Sequence, residues 1–263
     1  MPLFSFDTYN LLSTAVIVLG IQIVFFIFAS IFKTDKVTDL SYSLTFILIA
    51  LLLLFSRSSY SIVPLLFTGL IVLWGFRLGG YLFVRILKIK KDNQFDGMRE
   101  KTLSFASFWM LQAVTIWIVM LPSTIVLSTS GALQPNVLTW VGIIVWAAGF
   151  LFEAVADVQK YRFRSRPENS GKWIQHGLWN YSRHPNYFGE SLCWWALFII
   201  AVPYLEGWMW ISVLGPVFLT FLLLFVSGVP TVEKRSDQKY GEQPEYLRYK
   251  EKTSLFIPLP PKK

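Results

Sequence analysis

Residues 177–190 read GLWNYSRHPNYFGE, and the run opens without a break into the apolar stretch SLCWWALFIIA. Asn180, Tyr181, Ser182, Arg183, His184, Asn186, Tyr187 and Glu190 crowd into it. Polar and ionisable groups at the mouth of a membrane helix are costly there and are functional candidates by default. Ser182 is placed to cap the helix, and Pro185 suits its first turn, where a missing N–H costs nothing. Asn186 and Glu190 are four apart and share a helical face. His184 either pairs with a phosphate or is a plain residue of the cap region. The plainer account of the whole run is a helix start with an anchored interfacial loop; its density of chemistry favours a site.

The elements that must position this run are set by composition. The 263 residues are 54% hydrophobic and 15% charged, with mean hydropathy +0.50. This is the balance of an all-α polytopic membrane protein. A span needs roughly 20 apolar residues. Seven stretches qualify, near 11–32, 39–56, 61–87, 104–128, 137–157, 186–203 and 208–229. They run from end to end, so residues 1–263 are expected to form a single integral-membrane domain, with the motif-bearing part at about 137–263. The net charge of +8 does not imply nucleic acid, because the basic residues fall in the connections. Lys88, Lys90, Lys91, Arg99 and Lys101 fill the third; Lys160, Arg162, Arg164, Arg166, Lys172 and Arg183 fill the fifth. The fourth and sixth, 129–136 and 204–207, hold none. The positive-inside rule then gives an outside N-terminus and a cytoplasmic C-terminus. Cys193 lies in an apolar run with no thiol partner, so no disulfide is expected.

Two spans carry further candidates. The third places Trp74, Arg77, Tyr81 and Arg85 at spacings of four and three, on one face. Arg85 can snorkel. Arg77 lies about 12 Å deeper by helix rise, so it should face a partner or a wet cavity. The fifth carries Glu153, Asp157, Tyr161 and Arg164 in a single stripe running out of the membrane. Either the cations complement a helix C-terminus, or a carboxylate holds ribose hydroxyls or an adenine amine while an arginine holds phosphate. Asp39 and Tyr42 open the second span, as a first-turn cap or part of a polar pocket. Gln112 and Thr115 on the fourth read as interhelical hydrogen-bonding groups. Residues 88–101, KIKKDNQFDGMREK, read as a solvated surface loop. The tail from residue 230, with Glu233, Arg235, Lys239, Tyr240, Tyr246 and Tyr249, reads as an amphipathic cap, and Lys250 and Lys252 as contacts to anionic lipid heads.

Soluble nucleotide fingerprints are absent, and so is a serine nucleophile elbow. His176 and His184 are the two histidines and lack the spacing of a zinc helix, so no metal is expected. What remains is a basic, aromatic rim leading into a helical bundle. Such a rim suits an anionic, nucleotide-like cofactor arriving from the cytoplasm and an apolar small molecule arriving from the lipid.

RHPNYFGE, preceded by GLWNYS and followed by KYG…EYLRYKEKTSLFIP, resembles the membrane superfamily of steroid 5-alpha-reductases, sterol reductases and isoprenylcysteine carboxyl methyltransferases. Within it the chain looks most like the bacterial DUF1295 branch, to which DGMREK and WMLQ are also similar. The resemblance implies a seven-helix bundle with NADPH held between the later spans and the cytoplasmic loops, in a bacterial inner membrane. It assigns Asn186 and Glu190 as a cofactor-contacting amide and carboxylate. Asp157, Arg164 and Lys172 fall where the reductases carry a carboxylate, an arginine and a cation. Tyr181, Arg183, His184 and Tyr187 belong to the same cofactor motif, and Glu233, Arg235, Lys239, Tyr246 and Tyr249 form the closing cap. The chain departs from the steroid reductases in the second span, where their Gln-Glu pair is missing, and in the third, where their tyrosine aligns with Trp74 or Tyr81.

These features lead to an NADPH-dependent reductase of a carbon–carbon double bond in an apolar lipid. Tyr81 with Arg77 would supply the hydrogen bond and the acid, and Glu190 would be a cofactor ligand or part of proton transfer. The alternative is an S-adenosylmethionine-dependent methyltransferase, since RHPxYxG is shared with that branch. S-adenosylmethionine has no phosphate for the arginines of the rim. A lipid or ion carrier would spread its polar groups through several spans to the outer face; here they gather toward the cytoplasmic half.

Overall fold

The computed structural model describes residues 2–89 and 101–262, and for residues 83–89 the backbone only. The stretch around DGMREK, up to residue 100, and the Arg85 side chain lie outside the described part. The described residues contain no strand; one isolated parallel bridge joins Ser182 to Ser254. Among the described residues seven helical segments are long and apolar enough to cross a membrane, so the chain is an all-α polytopic membrane protein. It divides into two compact units.

The first unit comprises residues 1–139 and 200–215. It holds α1 (Leu11–Ile31), α2 (Thr38–Phe55), α3 (Ile62–Ile89), α4 (Thr102–Val119) and α5 (Leu121–Ser128). Asp7 starts α1 by accepting from the backbone N–H groups of Leu11 and Ser13 at 2.9 and 2.6 Å. α2 and α3 pack closely through Gly75 and Gly79: a Cβ on Gly75 would lie 2.7 Å from Ile47, and one on Gly79 would strike the Ser43 hydroxyl. Small residues four apart let two helix backbones approach where lipid supplies no hydrophobic drive. Phe46 and Trp74 meet edge to face beside this seam, with Tyr42 against both. Gln112 of α4 donates to Gln22 of α1 at 2.8 Å and to Ser41 of α2 at 2.9 Å, and Gln22 donates to Thr45 at 2.8 Å. Thr115, expected to bridge helices, instead bonds the Leu111 carbonyl of its own helix at 2.7 Å.

The fourth apolar stretch, expected as one span to 128, is broken at Met120. Pro122 in the first turn of α5 lacks an N–H and cannot continue the α4 ladder. The far end of α5 is closed by Arg57, whose guanidinium donates to the carbonyls of Leu127, Thr129 and Gly131 at 2.7, 2.7 and 2.8 Å. A cation on the last carbonyls of a helix is favoured by both charge and hydrogen bonding. This accounts for Arg57, the one basic residue between the second and third apolar stretches, in residues 57–60.

The second unit comprises residues 140–199 and 216–263. It contains most of α6 (Val137–Arg164), most of α7 (Pro185–Ala201), most of α8 (Leu214–Phe221), a π-turn at Leu222–Val226, α9 (Val229–Tyr240) and α10 (Pro244–Lys252). α6 runs a full two turns past the expected end at 157. Its backbone meets α7 at two glycines. A Cβ on Gly149 would lie 2.8 Å from the Gly189 carbonyl oxygen, and one on Gly189 would lie 2.6 Å from the Glu153 nitrogen. That approach sets the α7 backbone at Gly189 directly against the α6 backbone at Gly149 and Glu153.

Candidate functional site

The motif loop is fixed from two sides. Trp179 donates through its indole N–H to the Ala156 carbonyl of α6 at 3.0 Å, and Tyr249 donates to the Trp179 carbonyl at 2.8 Å. The tail after α10 runs along the loop: Arg183 N–H donates to the Ser254 carbonyl at 2.8 Å, and Leu259 N–H to the Tyr181 carbonyl at 3.0 Å. Ser182 does not cap α7 as expected. Its hydroxyl accepts from the His184 N–H at 3.1 Å and donates to the Phe256 carbonyl at 2.7 Å. Pro185 does occupy the first position of α7.

Beneath the loop, Glu233 of α9 is held by three cationic or basic groups. Arg183 reaches one of its oxygens at 2.5 Å, His184 the other at 2.9 Å, and Lys250 approaches at 3.3 Å. Lys250 also pairs with Asp237 at 2.6 Å, where Tyr246 donates at 2.9 Å. Lys250, expected at lipid heads, is thus a bridge between α9 and α10; two carboxylates one turn apart draw it inward. His184 is 1% exposed. Burial, reinforced by Lys160, holds its pKa below the ordinary histidine value against the opposing pull of Glu233. The neutral ring gives its Nε2 proton to Glu233, which leaves Nδ1 a bare acceptor with no donor among the described residues. Its ring stacks parallel to Tyr187 at 5.5 Å. Burial lifts the Tyr249 hydroxyl above the ordinary tyrosine value, and burial with the Asp237 bond does the same to Tyr246. Both stay protonated donors.

These groups border a hollow of about 70 Å³. Lys160, Arg164, Lys172 and Arg183 supply positive charge around it, with Glu233 its one lining carboxylate. Trp173, Tyr240 and Tyr246 form a ring cluster on one wall, with centroids 5.2 to 5.6 Å apart. The indole N–H of Trp173 and the Nε of Arg183 are buried donors with no acceptor among the described residues. Such donors beside several cations suit an anion, and aromatic rings suit a planar group.

Of the sequence candidates, Arg164, Lys172, Arg183, His184, Glu233, Tyr246 and Tyr249 line this hollow. Asp157, 5% exposed on α6, lies outside its lining, as do Asn186, Tyr187 and Glu190 on α7. Tyr181 is 45% exposed on the outside of the loop, and Arg235 and Lys239 are exposed on α9. Arg77 and Tyr81 are half-buried on α3, in the first unit. Sequence reasoning did not assign Trp173, Trp179, Lys160 or Tyr240 to the site. An aromatic in each of two loop segments flanked by lysine was the available signal.

Fold and hollow together define a polytopic helical membrane protein with a basic, aromatic-walled hollow at the polar end of its second unit. The chain belongs to the family described as Protein of unknown function (DUF1295), whose model matches residues 25–253. No curated protein and no solved structure matches it.

Proposed function

We propose that the protein is an integral-membrane reductase that takes NADPH from the cytoplasm and acts on a carbon–carbon double bond of an apolar, lipid-borne substrate. The observation that carries the reading is the hollow, where four cations and a cluster of aromatic rings converge. One water needs about 10–15 Å³ of such space, so about 70 Å³ accepts a phosphate-sized group. The residues fit that end of the cofactor: Lys160, Arg164, Lys172 and Arg183 for phosphate, and Trp173 with Tyr240 for a stacked ring. His184 Nδ1 offers an acceptor to a ligand hydroxyl or amine. When bound, NADPH would supply the hydride. Asn186 and Glu190 are proposed to orient the cofactor from α7. Tyr81 with Arg77 is proposed to hydrogen-bond the activating oxygen and return a proton, on the strength of their shared face of α3. S-adenosylmethionine, a sulfonium cation without phosphate, would meet repulsion from the same four cations.

Thermal unfolding of the detergent-purified protein with NADPH, NADH or S-adenosylmethionine tests the reading. A ligand at one hundred times its Kd adds about 2.7 kcal/mol. NADPH should raise the midpoint, and Arg164→Ala, an exposed position, should weaken that rise without lowering the midpoint of the free protein. A rise with S-adenosylmethionine alone would move the assignment to a methyltransferase. No rise with any of them would overturn the cofactor reading.

A further inference from the structure

A second hollow, of about 370 Å³, lies at the same end of α6 and is lined by Gln159, Arg162, Phe163, Arg166, Asn169 and His176. The size falls within the range of small-molecule sites. Its floor is built rather than incidental. Gln159 accepts the Leu178 N–H at 3.0 Å, Asn169 donates to the Phe163 carbonyl at 2.8 Å, and the Phe163 ring lies 5.6 Å from that of His176. Gly177, at φ +62°, lets the chain pass so close to Gln159 that any Cβ would collide with its amide. Arg162 and Arg166 are exposed, one turn apart, and neither has a carboxylate partner among the described residues. No acidic residue lines the hollow.

The position of Arg162 says where its anion comes from. Leu151, Val155 and Val158 are exposed apolar residues on α6, and Arg162 follows them at spacings of four, three and four. One helical face is therefore apolar for two turns and then ends in a guanidinium. α6 has 28 residues, about 42 Å at 1.5 Å per residue, against about 30 Å of hydrocarbon. Its last turns must stand at headgroup depth. We infer that this hollow binds the phosphate of an anionic phospholipid headgroup, with Arg162 and Arg166 gripping the phosphate and the lipid chains lying along the Leu151–Val155–Val158 face. Guanidinium groups match phosphate oxygens in pairs.

Native mass spectrometry from mixed micelles tests this, with phosphatidylglycerol against phosphatidylcholine. One phosphatidylglycerol should be retained per chain in preference to phosphatidylcholine. In R162Q/R166Q the preference should fall by about thirty-fold, from two interfacial charges at the usual value per arginine. R235Q/K239Q, which removes two exposed charges from α9, should keep it. Equal retention of the two lipids, or an unchanged preference in R162Q/R166Q, would overturn the inference. So would competition by millimolar inorganic phosphate or glycerol phosphate equal to that of the lipid, since the site would then take a soluble anion. The NADPH-induced rise in unfolding midpoint should be the same in R162Q/R166Q as in wild type; its loss would make this hollow part of the nucleotide site instead.

Discussion

Replacing Gly189 with alanine should loosen the second unit at the point where its two central helices touch. The added Cβ would lie 2.6 Å from the Glu153 nitrogen and 2.6 Å from the Gly149 carbonyl oxygen. Ordinary van der Waals contact begins at 3.4 Å, so the shortfall is about 0.8 Å on both. These neighbours are helix backbone, and no side chain can rotate away to make room. α7 must back off α6 along its length. Overpacking costs about 1–3 kcal/mol, and obstruction by backbone belongs at the top of that range, about 3 kcal/mol. At about 2–4 °C per kcal/mol for a chain of this size, the unfolding midpoint in detergent should fall by about 6–12 °C. Gly69→Ala is the matched control. Gly69 is exposed on α3 with nothing within 4 Å of its added Cβ, and removing a helical glycine gains about 0.5–1 kcal/mol. It should melt at or above the wild-type midpoint. A Gly189→Ala protein melting within about 2 °C of wild type would refute the contact as the determinant of the α6–α7 spacing.

Arg57→Ala should cost about 3 kcal/mol, because it strands the carbonyls at the end of α5. Arg57→Lys should recover less than half of that, since an ammonium cannot fork across three acceptors; midpoints of the two variants check both statements. The depressed pKa of His184 fixes the sign of one pH dependence. The unfolded chain binds the proton more readily than the folded one, so its contribution to stability is complete above the ordinary value of 6.5 and is lost as pH falls from there toward the folded value. A midpoint measured between pH 7.5 and 5 should decline below about 6.5, and His184→Gln should flatten that decline.

The spans were readable because a bilayer requires long apolar runs, and seven such runs are present. Breaks within a run were harder to place. Pro122 carried the signal for the α4–α5 break, but the hydropathy on either side of it is the same. The stripe from Glu153 to Arg164 was legible as a period, and α6 does carry it unbroken to Arg164. Contacts that depend on distant segments were not legible. Trp173 meets Tyr246, and Lys250 meets Glu233, only after α9 and α10 fold back beneath the motif loop, and no local spacing encodes that return. Arg57 was invisible for the same reason, since its acceptors lie about seventy positions later.

The tail that runs beside the motif loop has a consequence for the order in which the protein matures. Ser182 bonds the carbonyl of Phe256, 74 positions further along the chain. At about 5–20 residues per second of synthesis, the loop waits about 4–15 seconds between its own emergence and that of the segment that fastens it. For the earlier part of that interval, before α9 emerges, α6 and α7 can already lie in the membrane while Arg183 and His184 lack Glu233. A chain halted before residue 254 would keep the loop's bonds to Ala156 and Tyr249 but lack those to Ser254, Phe256 and Leu259, leaving the loop fastened from one side only. Abundance in the membrane is therefore no measure of how much of this protein is competent.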